Sequence, residues 1–252
     1  MDTSVWPILF QQDATHWWLR SRRRLVIDWI AHRHPGETGL RILDVGCGTG
    51  LMIQEMAAFG RVYGVDVSDD AIALCRRRGL HDVIQASALA LPFSSASFDV
   101  LTAVDVLEHI DDDRVALVEW RRVLRPGGRL FLFVPAHKWL WSPHDEASGH
   151  KRRYTSAGLA RVVRAADFEV ERQSYASTFL LPLIAGGRLW LKLFPRPVEG
   201  EQITLHPAWS NGILRAIFSA EIPFLRRLRF PIGASVICVA RKPLSAVQKT
   251  AA

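Results

Sequence analysis

Two acidic residues and a run of glycines form the part of this sequence best suited to ligand chemistry. The stretch LDVGCGTG places Asp44 just ahead of Gly46, Gly48 and Gly50, and Asp66 ends the next apolar run, VYGVD. A glycine-rich turn lets a ligand approach the backbone closely, because no Cβ stands in the way. An acid at the end of the second strand of such a unit can accept both hydroxyl groups of a ribose. The pattern therefore predicts a site for a nucleoside-containing ligand.

The turn fits neither of two common nucleotide-binding motifs. A P-loop needs a lysine followed by serine or threonine at the start of the helix, where Leu51 and Met52 stand. A dinucleotide fingerprint needs Gly-x-Gly-x-x-Gly, whereas the third glycine here is Gly50. Asp44 would also repel a pyrophosphate at the N-terminus of the following helix. A ligand with an ammonium and a sulfonium group, such as S-adenosylmethionine, would instead be attracted by that carboxylate.

Three histidines are candidate bases near the same ligand. His109 follows the fourth predicted strand, and a structural role is its alternative. His144 and His150 lie in the segment 139–154, after the fifth predicted strand. That segment also supplies the candidates for substrate binding, which are Trp141, Arg153 and Tyr154. The arginine and the tyrosine could hold an anionic or carbonyl group, although the tyrosine could also simply precede the next helix.

These side chains need a frame that brings the ends of strands together. Apolar runs predict strands at 40–45, 61–67, 82–86, 98–104, 129–134, 169–175 and 234–240. Helical patterns occur at 50–59, 69–78, 112–124 and 156–166, with Asp69, Asp111 and Thr155 as N-caps where a cap is evident. Strands that alternate with single helices predict right-handed crossovers. We expect an α/β fold, a Rossmann-like seven-stranded mostly parallel sheet with helices on both faces.

Four segments divide the chain around this sheet. Residues 1–38 are expected to form an N-terminal helical cap, with an amphipathic helix at 14–32, and residues 39–175 the core. Residues 176–232 read as an apolar helical lid inserted before the last strand, and 233–252 as that strand and a flexible tail. Proline and glycines interrupt the apolar run of the lid, which falls short of a spanning helix. The lid could roof a pocket, dock on a membrane or pair subunits.

Five segments in order resemble the class I S-adenosylmethionine-dependent methyltransferases, most closely the methyltransferase type 11 group. They are LDVGCGTG, VYGVDVS, ALALPFSSASFDVL, VDVLEHIDD and VLRPGGRLFLFVP, within residues 40–135. The resemblance implies S-adenosylmethionine as cofactor, S-adenosylhomocysteine as product, and cofactor contacts from Asp44, Gly46, Cys47, Gly48, Gly50, Asp66, Val67, Ser87, Ala88, Leu89, Val104 and Asp105. Relatives often carry an aspartate at the position of Ser87, which implies a weaker contact with the adenine amino group.

A second resemblance concerns metal binding. Asp105, Glu108 and His109 resemble the Glu-x-x-Glu-His pattern through which some quinone O-methyltransferases of this fold bind magnesium. The first acid is shortened to aspartate in this chain. We therefore expect no metal and keep magnesium only as the less favoured alternative.

The resemblance implies a methyltransferase acting on a small or lipid-like acceptor. Direct in-line transfer to oxygen is favoured over transfer to carbon or nitrogen. One alternative is a non-catalytic partner protein that binds S-adenosylmethionine. A lower alternative is a nucleic-acid methyltransferase, which should carry a motif such as Asn-Pro-Pro-Tyr where Asp105-Val-Leu-Glu stands.

Composition limits the setting of this activity. The 252 residues are 49% hydrophobic and carry a formal net charge of +7. The basic clusters are scattered along the chain, so we expect no nucleic-acid partner. Three cysteines without metal-binding spacing and no evident signal peptide favour the cytoplasm, with peripheral contact at the inner membrane face as an extension. The sequence leaves the oligomeric state open.

Overall fold

A single seven-stranded sheet organises the computed structural model, which describes residues 5–194 and 207–244. Its strands are β1 (Leu40–Val45), β2 (Gly60–Asp66), β3 (Val83–Gln85), β4 (Phe98–Val104), β5 (Leu124–Pro135), β6 (Glu169–Ala176) and β7 (Ser235–Arg241). Their order is β3-β2-β1-β4-β5-β7-β6, and only β7 runs antiparallel to its neighbours. The sheet confirms the predicted Rossmann-like α/β architecture.

Nine helices accompany the strands in the described residues. They are α1 (Val5–Gln12), α2 (Trp17–Arg33), α3 (Leu51–Met56), α4 (Asp69–Arg77), α5 (Asp113–Val123), α6 (Pro143–Ala147), α7 (Ser156–Ala165), α8 (Leu181–Leu193) and α9 (Ala208–Leu225). Short 3-10 turns occur at Ala57–Phe59, Leu107–His109 and Lys138–Leu140. No helix within 5–194 or 207–244 combines the length and apolar character needed to cross a bilayer.

The predicted caps are right in one case and wrong by one residue in two. Thr155 caps α7, since its hydroxyl accepts from the backbone N–H of the third residue of that helix. At α4 the cap is Ser68 rather than Asp69, and at α5 it is Asp112 rather than Asp111. Asp69 is therefore the first residue of α4 and not its cap. Its negative charge in the first turn stabilises the helix through the helix dipole.

Strand β5 begins earlier than the predicted 129–134. It pairs with β4 from Leu124 onward, and the register shifts between Phe98 and Val100. The Pro-Gly-Gly sequence at 126–128 therefore makes an irregularity within the strand, not a turn that precedes it. Gly127 supplies the left-handed φ of +83° that this irregularity needs.

Alternate residues of the strands enter two separate cores, one on each face of the sheet. On β5, Leu130, Leu132 and Val134 face one core, and Phe131 and Phe133 face the other. A parallel sheet covered on both faces buries its strands in this way. The core therefore fixes the strand ends, from which the ligand-binding turns project.

Helix α2 accounts for the amphipathic helix predicted at 14–32. Its Leu25, Trp29 and Ile30 are buried in the core, and α9 packs along it. Trp18 is half-buried and meets Phe133 of β5 edge-on, with 5.9 Å between ring centroids. The predicted lid region contains α8 and α9, while its residues 195–206 and the predicted tail from 245 onward lie outside the described residues.

Candidate cofactor and acceptor site

A cleft of about 1240 Å³ lies at the carboxyl ends of β1, β2 and β4. Eleven of the predicted cofactor residues line it: Asp44, Gly46, Cys47, Gly48, Asp66, Val67, Ser87, Ala88, Leu89, Val104 and Asp105. The three predicted bases and Arg153 line the same cleft. We call residues 44–50, 66–67 and 87–89 the cofactor end, and residues 139–154 with α8 the acceptor end. One cavity therefore joins two groups of residues that are far apart in sequence.

The glycine turn has already used its backbone donors within the protein. The N–H groups of Gly46 and Cys47 donate to the Val65 carbonyl at 2.8 and 3.0 Å. The Gly48 N–H donates to Asp66 Oδ2 at 2.9 Å. A phosphate-binding turn instead keeps its N–H groups free for the anion. The observed pairing therefore supports the prediction that this turn does not receive a diphosphate.

Gly46 and Gly50 are required by close packing as well as by their backbone angles. Gly46 has φ +70°, and a Cβ there would lie 2.4 Å from Val106 Cγ2. Gly50 has φ +81°, and a Cβ there would lie 2.5 Å from Leu80 Cδ1. Unlike the other cofactor residues, Gly50 does not line the cleft. It caps the start of α3 and lets that helix pack closely, as the resemblance implies.

Asp44 is a buried acid with little compensation from the protein. Its Oδ1 accepts a hydrogen bond of 2.6 Å from the Thr102 hydroxyl. Burial raises the pKa of Asp44 to about 7, and Thr102 and Arg22 only partly oppose this rise. A cationic ligand would restore the ordinary ionised state of such a carboxylate. The site therefore fits the ammonium and sulfonium groups of S-adenosylmethionine.

Asp66 organises the turn that would hold the ribose. Its two oxygens accept from the backbone N–H groups of Gly48 and Ser68, each at 2.9 Å. Burial raises its pKa, while these backbone hydrogen bonds lower it. Each carboxylate oxygen can accept more than one hydrogen bond, so both remain able to meet ribose hydroxyls. A ribose-binding role for Asp66 stays a prediction, and this geometry leaves room for it.

The remaining residues of the cofactor end form an open wall. Val67 is 74% exposed, which makes its apolar surface available to a flat base. The Ser87 hydroxyl accepts from the Leu89 N–H at 3.2 Å, and the Ala88 carbonyl accepts from the Trp120 indole at 2.9 Å. The Ser87 hydroxyl therefore stabilises the turn at residues 87–89 but brings no negative charge to the cleft.

Arg22 is a residue of this cleft that the sequence interpretation missed. It reaches in from α2, forms an ion pair with Asp105, and its buried Nε has no hydrogen-bond partner among the described residues. Burial, followed by the charge of Arg23, lowers its pKa to about 10. A signal was present, because Arg22 stands four residues after Trp18 and three before Leu25, on the inward face. From the sequence, the basic clusters were treated only as scattered charge.

Asp145 is the centre of the acceptor end. Its carboxylate is completely buried and accepts from His150 Nδ1 at 2.8 Å, Arg153 Nε at 2.7 Å and Arg188 Nη1 at 3.2 Å. The Ser142 N–H donates to it at 2.9 Å. Burial alone would raise the pKa of Asp145, but these hydrogen bonds and charges hold it well below its usual range. Sequence reasoning did not identify Asp145, because one of its partners, Arg188, comes from the distant helix α8.

The three predicted bases differ in their surroundings. Burial, and next the charge of His150, lower the pKa of His109 to about 4, and the rings of these two histidines lie 4.8 Å apart. Burial also lowers the pKa of His144. His150 alone among them has a carboxylate on one ring nitrogen, since its Nδ1 faces Asp145. This leaves Nε2 of His150 as the nitrogen that can accept a proton.

Two of the predicted substrate-binding residues do not line the cleft. The Trp141 indole donates to Glu146 Oε1 at 3.2 Å. Tyr154 is buried, and its hydroxyl donates to Asp113 Oδ2 at 3.0 Å. Among the three predictions of this kind, the geometry favours only Arg153, which lines the cleft. Tyr154 instead holds the acceptor end against α5.

A carboxylate and two imidazoles meet beside the cleft. Ligand atoms of Glu108, His109 and His150 lie within 4.8 Å of one another. Asp105, the third member of the resemblance to the magnesium pattern, is instead paired with Arg22. Two nitrogen donors suit a transition metal better than magnesium, which prefers oxygen. The geometry therefore gives no support to the magnesium pattern of Asp105, Glu108 and His109.

Comparison with known proteins agrees with the fold and the cleft. Residues 43–132 match the family described as a methyltransferase domain. A ubiquinone biosynthesis O-methyltransferase of Aromatoleum aromaticum is 34% identical over 48% of this chain and 58% of its own length. An O-methyltransferase of Aspergillus nomiae is 42% identical over 40% of this chain and 49% of its own. The chain thus spans about half the length of these curated relatives.

A solved structure shares the fold over more of the chain. The crystal structure of the [4+2]-cyclase SpnF aligns with 90% of this chain and 84% of its own, with a TM-score of 0.60 and 25% identity. The ordered motifs, the strand order and these matches together show that residues 43–132 carry a methyltransferase domain similar to those of the class I S-adenosylmethionine-dependent enzymes.

Proposed function

We propose that this chain transfers a methyl group from S-adenosylmethionine to an oxygen atom of a small or lipid-like acceptor. One observation carries the proposal: a single cleft joins the buried Asp44 and Asp66 to a histidine held by a buried carboxylate. The names of the relatives, which are O-methyltransferases, support oxygen over nitrogen or carbon. The curated relatives extend beyond the matched part, so the acceptor is inferred from the cleft alone.

The cofactor end supplies binding and orientation. Asp44 would hold the ammonium group, Asp66 the ribose hydroxyls, and Val67 one face of the adenine. Arg22 has a buried and unpaired Nε in the described structure, so we assign it to the carboxylate of the methionine part. When bound, the cofactor supplies an electrophilic methyl group on a sulfonium sulfur. The protein has to keep this methyl group in line with the acceptor oxygen, about 3–3.5 Å from it.

His150 is the general base that the geometry favours. Asp145 accepts from Nδ1 of His150, which fixes the ring and leaves Nε2 free to take the proton of an acceptor hydroxyl. The same carboxylate would stabilise the imidazolium ion that results. His109, with a pKa lowered to about 4, is a much weaker base and packs against His150. We therefore place His150 ahead of His109 and His144.

The acceptor end combines basic and apolar groups. Arg153 and Arg188 both line it, as do the apolar side chains of Ile184 and Ala234. This lining suits an amphiphilic acceptor with a polar, electron-rich head. We propose such an acceptor and peripheral contact with the inner membrane face. The amphiphilic acceptor and the membrane contact are both compatible with the cytoplasmic location that the sequence predicts.

The second candidate is a protein that binds S-adenosylmethionine but transfers no methyl group. SpnF, which shares this fold, is a [4+2]-cyclase, so a chain of this fold can carry another activity. Ser87, in place of a charged adenine contact, also favours a weaker hold on the cofactor. Both candidates therefore allow binding of S-adenosylmethionine. Only turnover of the cofactor distinguishes methyl transfer from the second candidate.

The test separates binding from transfer. Titration calorimetry with S-adenosylmethionine should show binding that Asp66→Ala weakens by at least about tenfold, since hydrogen bonds to a charged group are lost. Formation of S-adenosylhomocysteine with phenolic and other hydroxyl acceptors should then be measured. His150→Gln should lower kcat by about 10²–10⁴-fold with unchanged cofactor affinity.

Asp69→Asn is the matched control for the first variant, because Asp69 is an exposed acid in the first turn of α4, outside the cleft. His109→Gln is the control for the second. Full activity of His150→Gln would reject the assigned base. Cofactor binding without turnover on any acceptor would favour the second candidate.

A further inference from the structure

Helix α8 is apolar on both of its faces. Leu181, Ile184 and Ala185 point inward and pack with Leu140 of the acceptor end. The outward face is exposed and carries Pro182, Leu183, Gly186, Gly187, Leu189, Trp190, Leu193 and Phe194. A helix that is apolar all round is normally buried in protein or in lipid. The outward face of α8 therefore lacks the polar surface expected of a helix in water.

The exposure on this face is large. Leu183 is 61% exposed, Trp190 55% and Leu193 65%. Trp190 also packs against Phe194, with 4.4 Å between the ring centroids, so two aromatic rings stand together at the end of the helix. A contiguous exposed apolar patch of this kind marks an interaction surface. Paired aromatic rings at one end are typical of the membrane–water interface.

The helix is held in place by the core. Glu221 of α9 is buried, and its carboxylate accepts from the backbone N–H groups of Ser177, Thr178 and Phe179, just ahead of α8. Farther along, Arg188 donates to the Leu140 carbonyl and to Asp145. The start and the middle of α8 are therefore anchored, and its apolar face is presented in a fixed orientation.

Charge and length restrict what can cover this face. The sequence of α8 contains no acid, and its two charged residues, Arg188 and Lys192, are basic. The whole chain carries a formal net charge of +7. Thirteen residues make a helix of roughly 20 Å, shorter than the hydrocarbon core of a bilayer at about 30 Å. The helix is thus suited to lying on an anionic surface, with its apolar side chains in the interfacial region.

The inward face connects this surface with the acceptor end. Ile184 and Arg188 of α8 both line the cleft, on the side of the helix opposite the exposed apolar residues. An amphiphile leaving a bilayer beside α8 would therefore meet the acceptor end next. A second copy of the chain is less well matched, because two basic proteins would face each other across the contact.

We propose that the outward face of α8 docks on a membrane surface rich in anionic lipid. This inference deepens the proposed function, because it identifies the acceptor as a molecule drawn from that membrane. Docking itself needs neither cofactor nor turnover. A chain that binds vesicles without transferring methyl groups would contradict the proposed function and leave docking in place.

The test uses the full chain in vesicle flotation. Vesicles of phosphatidylcholine are compared with vesicles of equal parts phosphatidylcholine and phosphatidylglycerol. The chain should float with the mixed vesicles, and higher salt should weaken the association. The double variant Trp190→Glu with Leu193→Glu should reduce binding by at least about tenfold, because it places charge where apolar groups should enter lipid.

The matched control is Val115→Glu with Val118→Glu on α5. These side chains are 47% and 51% exposed, so the control adds the same charge at similarly exposed apolar positions elsewhere. It should float as the unchanged chain does. Circular dichroism of both variants checks that they are folded, independently of cofactor binding.

Docking is overturned if the chain floats with neither vesicle or if the α8 variant floats as well as the control. The docking proposal would also be overturned if the chain formed a dimer in solution and the α8 variant were monomeric. A second copy of the chain would then be what covers the outward face of α8.

Discussion

The cofactor end and the acceptor end of the cleft are held together by different kinds of contact. At the cofactor end, Asp44 and Asp66 lie at the ends of the adjacent strands β1 and β2, and the glycine turn follows β1. These acids pair with backbone groups or with Thr102 of the neighbouring strand β4. At the acceptor end, Asp145 pairs with side chains of its own segment and with Arg188 of α8, 43 residues away in sequence. One end depends on strand geometry and the other on a buried cluster of charges.

This difference decides how each end tolerates change. The sheet holds the backbone of the cofactor end, so a lost side chain there should impair binding more than folding. The acceptor end has no sheet of its own between 139 and 154, and its charges hold each other in place. Loss of the central carboxylate there should lower the free energy of unfolding, because a buried ion pair broken on one side leaves its partners uncompensated.

The largest expected effect comes from Asp145→Ala. Three basic side chains would lose a completely buried acceptor, so the free energy of unfolding should fall by about 3–5 kcal/mol. Urea denaturation measures this change. Glu146→Gln is the control, because Glu146 is the exposed neighbour of Asp145 and its carboxylate accepts from the Trp141 indole at the surface. If the two variants were equally stable, the buried cluster would not be what holds the acceptor end.

The fold was predictable because its signals are local. Apolar runs such as LRILDV and FDVLTAV, which form β1 and β4, need burial on both faces, and each matched an observed strand exactly. The predicted N-cap of α4 was wrong by one residue, because Ser68 rather than Asp69 caps this helix. The prediction also missed the early start of β5 at Leu124. This strand continues through Pro-Gly-Gly because its pairing with β4 shifts register there.

The site was predictable to different degrees at its two ends. Residues at the carboxyl end of a strand, such as Asp44 near the end of β1 and Asp105 just after β4, line the cleft as their position in the chain implies. Asp145 and Arg188 could not be found in this way, since their pairing depends on how α8 packs against the segment 139–154. Arg22 was missed for a different reason: its helical spacing indicated an inward side chain, but its charge suggested solvent.

Two glycines with nearly the same backbone angle sharpen the comparison. Gly46 at the cofactor end has φ +70° and Gly149 at the acceptor end has φ +71°, but only Gly46 would place a Cβ against a neighbour, at 2.4 Å from Val106. Both alanine variants should lose about 1–2 kcal/mol of stability from the left-handed angle. Gly46→Ala should lose about 1–3 kcal/mol more from overpacking.

Urea denaturation of the two alanine variants gives this difference directly. Calorimetry with S-adenosylmethionine should show weaker binding for Gly46→Ala alone, because only that turn lines the cofactor end. Equal losses of stability in the two variants would mean that Val106 moves aside without cost, and that the glycine turn is less tightly packed than the structure indicates.

The smallest expected effect is a difference in pH dependence between the acids at the two ends. Burial raises the pKa of Asp44 to about 7, so in the cofactor-free protein this carboxyl favours the folded state at low pH. Its contribution to stability is lost as pH rises from the unfolded value toward about 7. Asp145 has the opposite sign, because its pKa is lowered: it stabilises the fold above its unfolded pKa and loses this effect as pH falls below that value.

Cofactor affinity should follow the ionised fraction of Asp44. Only the carboxylate attracts a cation, so affinity for S-adenosylmethionine should rise by about tenfold between about pH 5.5 and about pH 7, with proton release on binding. Asp44→Asn should bind more weakly at neutral pH and lose this dependence. Calorimetry in two buffers that differ in ionisation enthalpy counts the released protons. If Asp44→Asn kept the full pH dependence, another group would be the one titrating, and the cofactor end would not owe its preference for a cation to this buried acid.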